Sequence, residues 1–106
     1  MTQPLVPSGL LDPVVAYFHP RRVILFGSRA RGQDGPDSDI DLLVVLDDDA
    51  PPDKLTQRAG WESRRPWRQA ADVIPCSADM YRRMSRIVGT LPYAARTEGI
   101  VVYERG

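Results

Sequence analysis

The sequence predicts a small α+β domain of about four strands with helices around them, and three observations carry that reading. Two apolar runs, Val23–Phe26 and Leu42–Leu46, are unbroken, as expected of strands covered on both faces. Ala70–Pro75, which carries Asp72, and Ile100–Tyr103 supply two further strands. Apolar residues at helical spacing stand before and after them, at Leu10, Leu11, Val14, Val15 and Phe18 and again at Met80, Tyr81, Met84, Ile87 and Val88.

The chain has 106 residues, which fits one domain, expected over residues 8–106 behind a flexible segment 1–7. Its ten prolines are about twice the average usage, and Pro4 and Pro7 loosen that segment while Pro51 and Pro52 stiffen a connection. The formal net charge is zero, but the charges are segregated. Eight Asp and no Lys or Arg lie between Gly32 and Asp53, whereas Lys54 to Arg86 holds eight basic residues against Glu62, Asp72 and Asp79. With no net basic stripe, direct nucleic-acid binding is not expected. Cys76 stands alone as a small apolar filler, without a disulfide framework. With no signal peptide and no run of about 18 apolar residues, the expected setting is soluble and cytoplasmic, with no membrane.

In chain order, Ser8–Phe18 forms a helix, in which Asp12 and Pro13 can serve as N-cap and first helical residue if it starts late. His19-Pro20 ends it, leaving His19 as a turn residue. Gly27 stops the first strand, and Ser28–Gly32 begins a turn or short helix. Gly35-Pro36 reverses the chain into Ile40–Leu46, whose exit Asp47-Asp48-Asp49 reads as a solvated strand end. Residues 53–69 read as one or two short helices interrupted by Gly60 and Pro66, packing Trp61 and Trp67 over the sheet. Ser77 is a plausible N-cap for the helix carrying the Met80–Val88 stripe, with Asp79 in its first turn. Tyr93–Glu98 adds a helical turn before the last strand.

The chemistry centres on Gly27-Ser28 after one strand and Asp39-Ile40-Asp41 at the head of the next. Residues two apart in a strand leave the same face, so Asp39 and Asp41 project together while Ile40 turns to the core. Paired carboxylates repel unless a cation lies between them, and oxygen-only ligands favour Mg²⁺ or Mn²⁺. Asp72, inside the third strand, can reach the same ions if that strand lies beside Asp39 and Asp41. It could then help accept a proton from an attacking hydroxyl. Gly27 lets backbone amides approach phosphates, and Ser28 offers a hydroxyl to a terminal phosphate oxygen. Arg29 and Arg31 could add guanidinium contacts to a triphosphate or to the acceptor, or be surface charges. Ser38 joins the nucleotide side mainly by fixing the turn that aims Asp39.

Gly27-Ser28-Arg29-Ala30-Arg31-Gly32 followed by Ser38-Asp39-Ile40-Asp41-Leu42 resembles the signature of the minimal nucleotidyltransferases, a branch of the DNA polymerase β-like superfamily. Ala71-Asp72-Val73-Ile74 resembles that family's third-carboxylate strand, and residues 98–104 its ending, while residues 53–69 match poorly. The resemblance implies a mixed sheet with helices on one side and Mg-ATP held by Gly27, Ser28, Asp39, Asp41 and Asp72. Relatives of this size commonly act as antitoxins of HEPN-domain ribonucleases, transferring AMP to a tyrosine of that partner or occluding it. AMP transfer to a hydroxyl of a HEPN toxin, within a hetero-oligomer, is therefore the leading expectation. The alternatives are a binding module that neutralises its partner without chemistry, using Trp61, Trp67, Tyr81 and Arg64–Arg68, and transfer to a small molecule such as an aminoglycoside.

Overall fold

A computed structural model of the chain describes residues 5–32 and 39–105. The order is α1 (Ser8–Phe18), β1 (Arg22–Phe26), β2 (Ile40–Leu46), a turn of 3₁₀ helix at Pro52–Leu55, α2 (Gln57–Ser63), β3 (Ala71–Ser77), α3 (Ala78–Met84), α4 (Leu91–Glu98) and β4 (Ile100–Glu104). The described strands form one mixed sheet in the order β3-β2-β1-β4. β1 runs antiparallel to both β2 and β4, whereas β2 and β3 are parallel. A parallel pair needs a long crossover, and α2 lies within it.

Side-chain alternation divides the apolar residues between two faces. Val23, Leu25, Ile40, Leu42, Val44, Leu46 and Val73 meet Leu10, Val14 and Phe18 of α1 and Ala59 of α2. Ile24, Phe26, Leu43, Val45 and Cys76 meet Ala78 of α3 and Ala95 of α4. Helices thus cover both faces, not the one side that the resemblance implied. The unbroken runs in β1 and β2 demanded this, because every residue of a one-sided sheet cannot be apolar without exposing half of them.

α1 begins at Ser8, not at Asp12, and keeps Pro13 inside. Starting late would expose Leu10, which is fully buried one turn before Val14. Burying such a side chain is worth roughly 1.5–3 kcal/mol, comparable to what an internal proline costs. His19 closes α1 in the left-handed conformation, its N–H donating to the Val15 carbonyl at 2.9 Å, and is exposed as expected. Val6, placed by sequence in a loose segment, is buried in the α1 core.

Gly60 does not interrupt α2. It sits inside the helix where a Cβ would collide with the Val73 carbonyl, so the glycine lets α2 ride directly on β3. That contact, together with Pro75 inside β3, blunts the outer edge of the strand. Trp67 packs against the α1 core, as predicted, next to Gly9. Trp61 does not; it is 53% exposed.

The stripe from Met80 to Val88 is also not one buried helical face. α3 ends at Met84, where the Thr90 hydroxyl donates to the Met84 and Ile87 carbonyls at 2.7 and 2.8 Å and turns the chain into α4. Met80, Ile87 and Val88 are left exposed, beside Leu91. The Asp47–Asp49 exit is solvated at Asp48 and Asp49, as expected, and it also ties neighbouring segments together. Asp47 accepts two hydrogen bonds from Arg105 at 2.9 and 3.0 Å, and Asp48 accepts from the Asp79 N–H at 2.7 Å, at the start of α3.

Candidate active site

The site forms where β1 ends and β2 and β3 begin. Ile40 is buried towards α1 and α2, so Asp41 points to the opposite face with Leu43 and Val45. Cα registers place Asp41 between Phe26 of β1 and Asp72 of β3. Asp72 shares its face with Ile74 and Cys76, the face to which Asp41 points. The sequence condition for Asp72, adjacency of its strand to that of Asp39 and Asp41, is met.

Gly27 follows β1 with φ of 78°, a backbone that L side chains rarely adopt. The space a Cβ would take there is filled by the Asp41 carboxylate, which would collide with it through Oδ2. Glycine at this turn therefore does two things: it allows the backbone to swing, and it leaves room for Asp41 to lie against the loop.

Asp41 is the carboxylate whose acidity is disturbed. Partial burial, then the charge of Asp72, then that of Asp39, push its pKa above the ordinary value. Asp41 therefore feels both Asp72 and Asp39. Among the described residues no three His, Cys, Asp or Glu side chains stand close enough to hold one ion together as they lie. Asp39 and Asp72 are exposed and Asp41 is half-buried between their charges, and this oxygen-only donor set fits a hard divalent cation.

The turn after β1 is tight. The Arg31 N–H donates to the Gly27 carbonyl and the Gly32 N–H to the Arg29 carbonyl, both at 3.3 Å, so Ser28–Gly32 is a turn and not a helix. Ser28 and Arg29 are half-buried within it. The Arg31 guanidinium lies 3.2 Å from Glu98 on α4, tying the turn to that helix. Sequence reading missed Glu98, and no local signal could have found it, 67 residues away from Arg31. Ser38 and the Gly35-Pro36 reversal lie outside the described residues.

A family model described as "Nucleotidyltransferase domain" matches residues 10–77, which include both carboxylate strands and the turn. No curated protein matches the chain. Among solved structures, the chain is similar to a proposed nucleotidyltransferase from Sulfolobus solfataricus, with a TM-score of 0.58, 20% identity, and coverage of 99% of this chain and 91% of that one. It is also similar to a toxin-antitoxin crystal structure with AMP-PNP, with a TM-score of 0.57, 18% identity, and coverage of 94% and 75%. At these identities the likeness is one of fold. No described helix is long and apolar enough to cross a membrane.

Proposed function

The chain belongs to the nucleotidyltransferase domain family, and from that membership we propose that it transfers AMP from ATP to a hydroxyl of a partner protein, a tyrosine of a HEPN-type toxin whose antitoxin it is. The observation that carries this reading is the row formed by Gly27, Asp41 and Asp72 on three adjoining elements. The similarity in fold to a toxin-antitoxin structure with AMP-PNP supports the nucleotide and the kind of partner. The catalytic unit is residues 8–106, working in the cytoplasm in a hetero-oligomer with its acceptor and without direct nucleic-acid binding.

Asp39, Asp41 and Asp72 would hold Mg²⁺ (two ions, or Mn²⁺ in their place), neutralising charge on the triphosphate and on the phosphorus under attack. Ser28 donates its hydroxyl to a terminal phosphate oxygen, and the backbone at Gly27 faces the phosphates without a side chain in the way. Arg29 lies on the nucleotide side, and Arg31 keeps the turn in place through Glu98. Ser38 shapes the approach to Asp39. Asp72, at the end of the row, accepts the proton of the acceptor hydroxyl as that oxygen bonds to the α-phosphorus. The bond from that phosphorus to its bridging oxygen breaks, and pyrophosphate leaves.

Incubation with ATP labelled in the α-phosphate, Mg²⁺ and the protein encoded beside this chain tests the proposal. Label should appear on the partner and vanish with Asp39→Asn. An unlabelled partner, or labelling undiminished by that substitution, defeats it.

A second reading, neutralisation by binding alone, is favoured by the apolar side chains Met80, Ile87, Val88 and Leu91 left in solvent around the α3–α4 connection. It predicts that neutralisation survives Asp39→Asn combined with Asp41→Asn. Turnover on a small hydroxyl compound without any protein would instead favour the aminoglycoside-type activity.

A further inference from the structure

Beyond Asp72 the row of site residues opens into a groove of about 400 Å³ between the start of β3 and the outer side of α2, with Gln57, Trp61 and Arg64 on the α2 side. Resting on the transfer reading above, we infer that this groove is the acceptor subsite, that Trp61 is its specificity-determining residue, and that it takes the phenol ring of a tyrosine carried on an acidic segment of the partner.

Position is the first argument. In a displacement at phosphorus the entering and leaving oxygens lie roughly in line on opposite sides. The Gly27–Ser28 turn marks the phosphate end of the row, and successive strands are spaced by about 4.8 Å. An acceptor must then arrive from the far side of Asp72, where the groove lies.

Surface chemistry is the second. A tryptophan 53% exposed within a small domain is unusual, and Trp67 in contrast is packed against the core. The Arg65 guanidinium lies 5.4 Å from the Trp61 ring, holding the indole in place as a platform. The Arg64 Nε is shielded from solvent without a hydrogen-bond partner, while its Nη2 donates to the Gln69 carbonyl at 2.6 Å. Arg58, Arg64, Arg65 and Arg68 stand against Glu62 alone on this helix and the stretch after it, so acidic residues flanking the acceptor would be attracted.

A single-stranded RNA end is the competing occupant, and it fits less well. Strand-tracking sites use successive aromatic platforms with a basic groove. Here one indole is offered, and Trp67, the other tryptophan, is packed against the core.

The test is an indole and amide NMR titration of the ¹⁵N-labelled protein with N-acetyl-L-tyrosinamide, with AMP-PNP and Mg²⁺, and with a short oligoadenylate. Saturable displacement of the Trp61 indole resonance by the tyrosinamide, with the Trp67 resonance still, is the expected result. Trp61→Ala should weaken tyrosinamide binding about tenfold, and Arg64→Gln should reduce the advantage of a Glu-Tyr-Glu peptide over Lys-Tyr-Lys. A Trp61 signal that ignores the tyrosinamide, or that responds to AMP-PNP or to the oligoadenylate instead, overturns the assignment. Failure of the transfer reading shows separately, as Gly27 and Ser28 amides unmoved by AMP-PNP.

Discussion

The Asp41 carboxylate occupies the space that any side chain at Gly27 would need. A loop residue and a strand residue are thereby fitted to each other across the β1–β2 pair, and the turn cannot be altered without moving the carboxylate.

Gly27→Ala should therefore damage the site twice. The new methyl meets Asp41 Oδ2, and a φ of 78° is strained for alanine. The expected loss of stability is about 1–3 kcal/mol, and transfer should fall by at least about a hundredfold. Chemical denaturation and the labelling assay read the two effects; an alanine variant with full activity would refute the fit.

Asp41→Asn should abolish transfer yet stabilise the metal-free fold at neutral pH. The folded Asp41 carries a pKa above 3.8, so between 3.8 and the raised value the folded chain binds more protons than the unfolded chain. Stability contributed here is present at low pH and declines as pH rises through that window. Removing the charge should raise Tm by about 2 °C near neutrality, a difference that closes as the pH is lowered to 3.8 and that Mg²⁺ reverses by stabilising the wild type alone. Thermal melts across pH, with and without Mg²⁺, measure it.

Gly60→Ala tests the packing of α2. Helix propensity alone would favour alanine by about 1 kcal/mol. The Val73 carbonyl leaves no room for the methyl, so the net result should be a destabilisation of about 1–3 kcal/mol. Urea unfolding decides between the two signs.

Cys76 should be inert in the folded protein. Burial pushes its thiol pKa up to about 12, which removes the thiolate that alkylating reagents need. Modification by iodoacetamide at mildly alkaline pH should be slower than that of the urea-unfolded chain by at least about a hundredfold. Equal rates would show that the β3–α3 junction opens readily.

Strands and carboxylates were legible in the sequence because each left a local mark. The apolar runs gave β1 and β2, and the two-residue period placed Asp39 and Asp41 together before any partner strand was known. Asp72 could be singled out as the acid inside a strand, though its register with Asp41 is a long-range fact that no local pattern carries. Gly60 misled because a glycine that breaks a helix and one that lets a helix touch a strand look alike in one dimension. The Met80–Val88 stripe misled because its periodicity continues past the point where Thr90 captures the Met84 carbonyl and ends α3. Trp61 reads as a core residue on hydrophobicity alone, and no local pattern marks the 53% exposure it has in the fold.

With helix α2 pressed onto β3 and a proline within that strand, one lateral boundary of the sheet offers little to an incoming backbone. β4, at the opposite boundary, has no fully buried residue, with Val101 and Glu104 exposed, and no such cover from α2. Ribbon-like accretion of misfolded copies would therefore start from Ile100–Glu104, and charged substitutions there, such as Val101→Lys, are the natural place to improve the solubility of this chain without touching its chemistry.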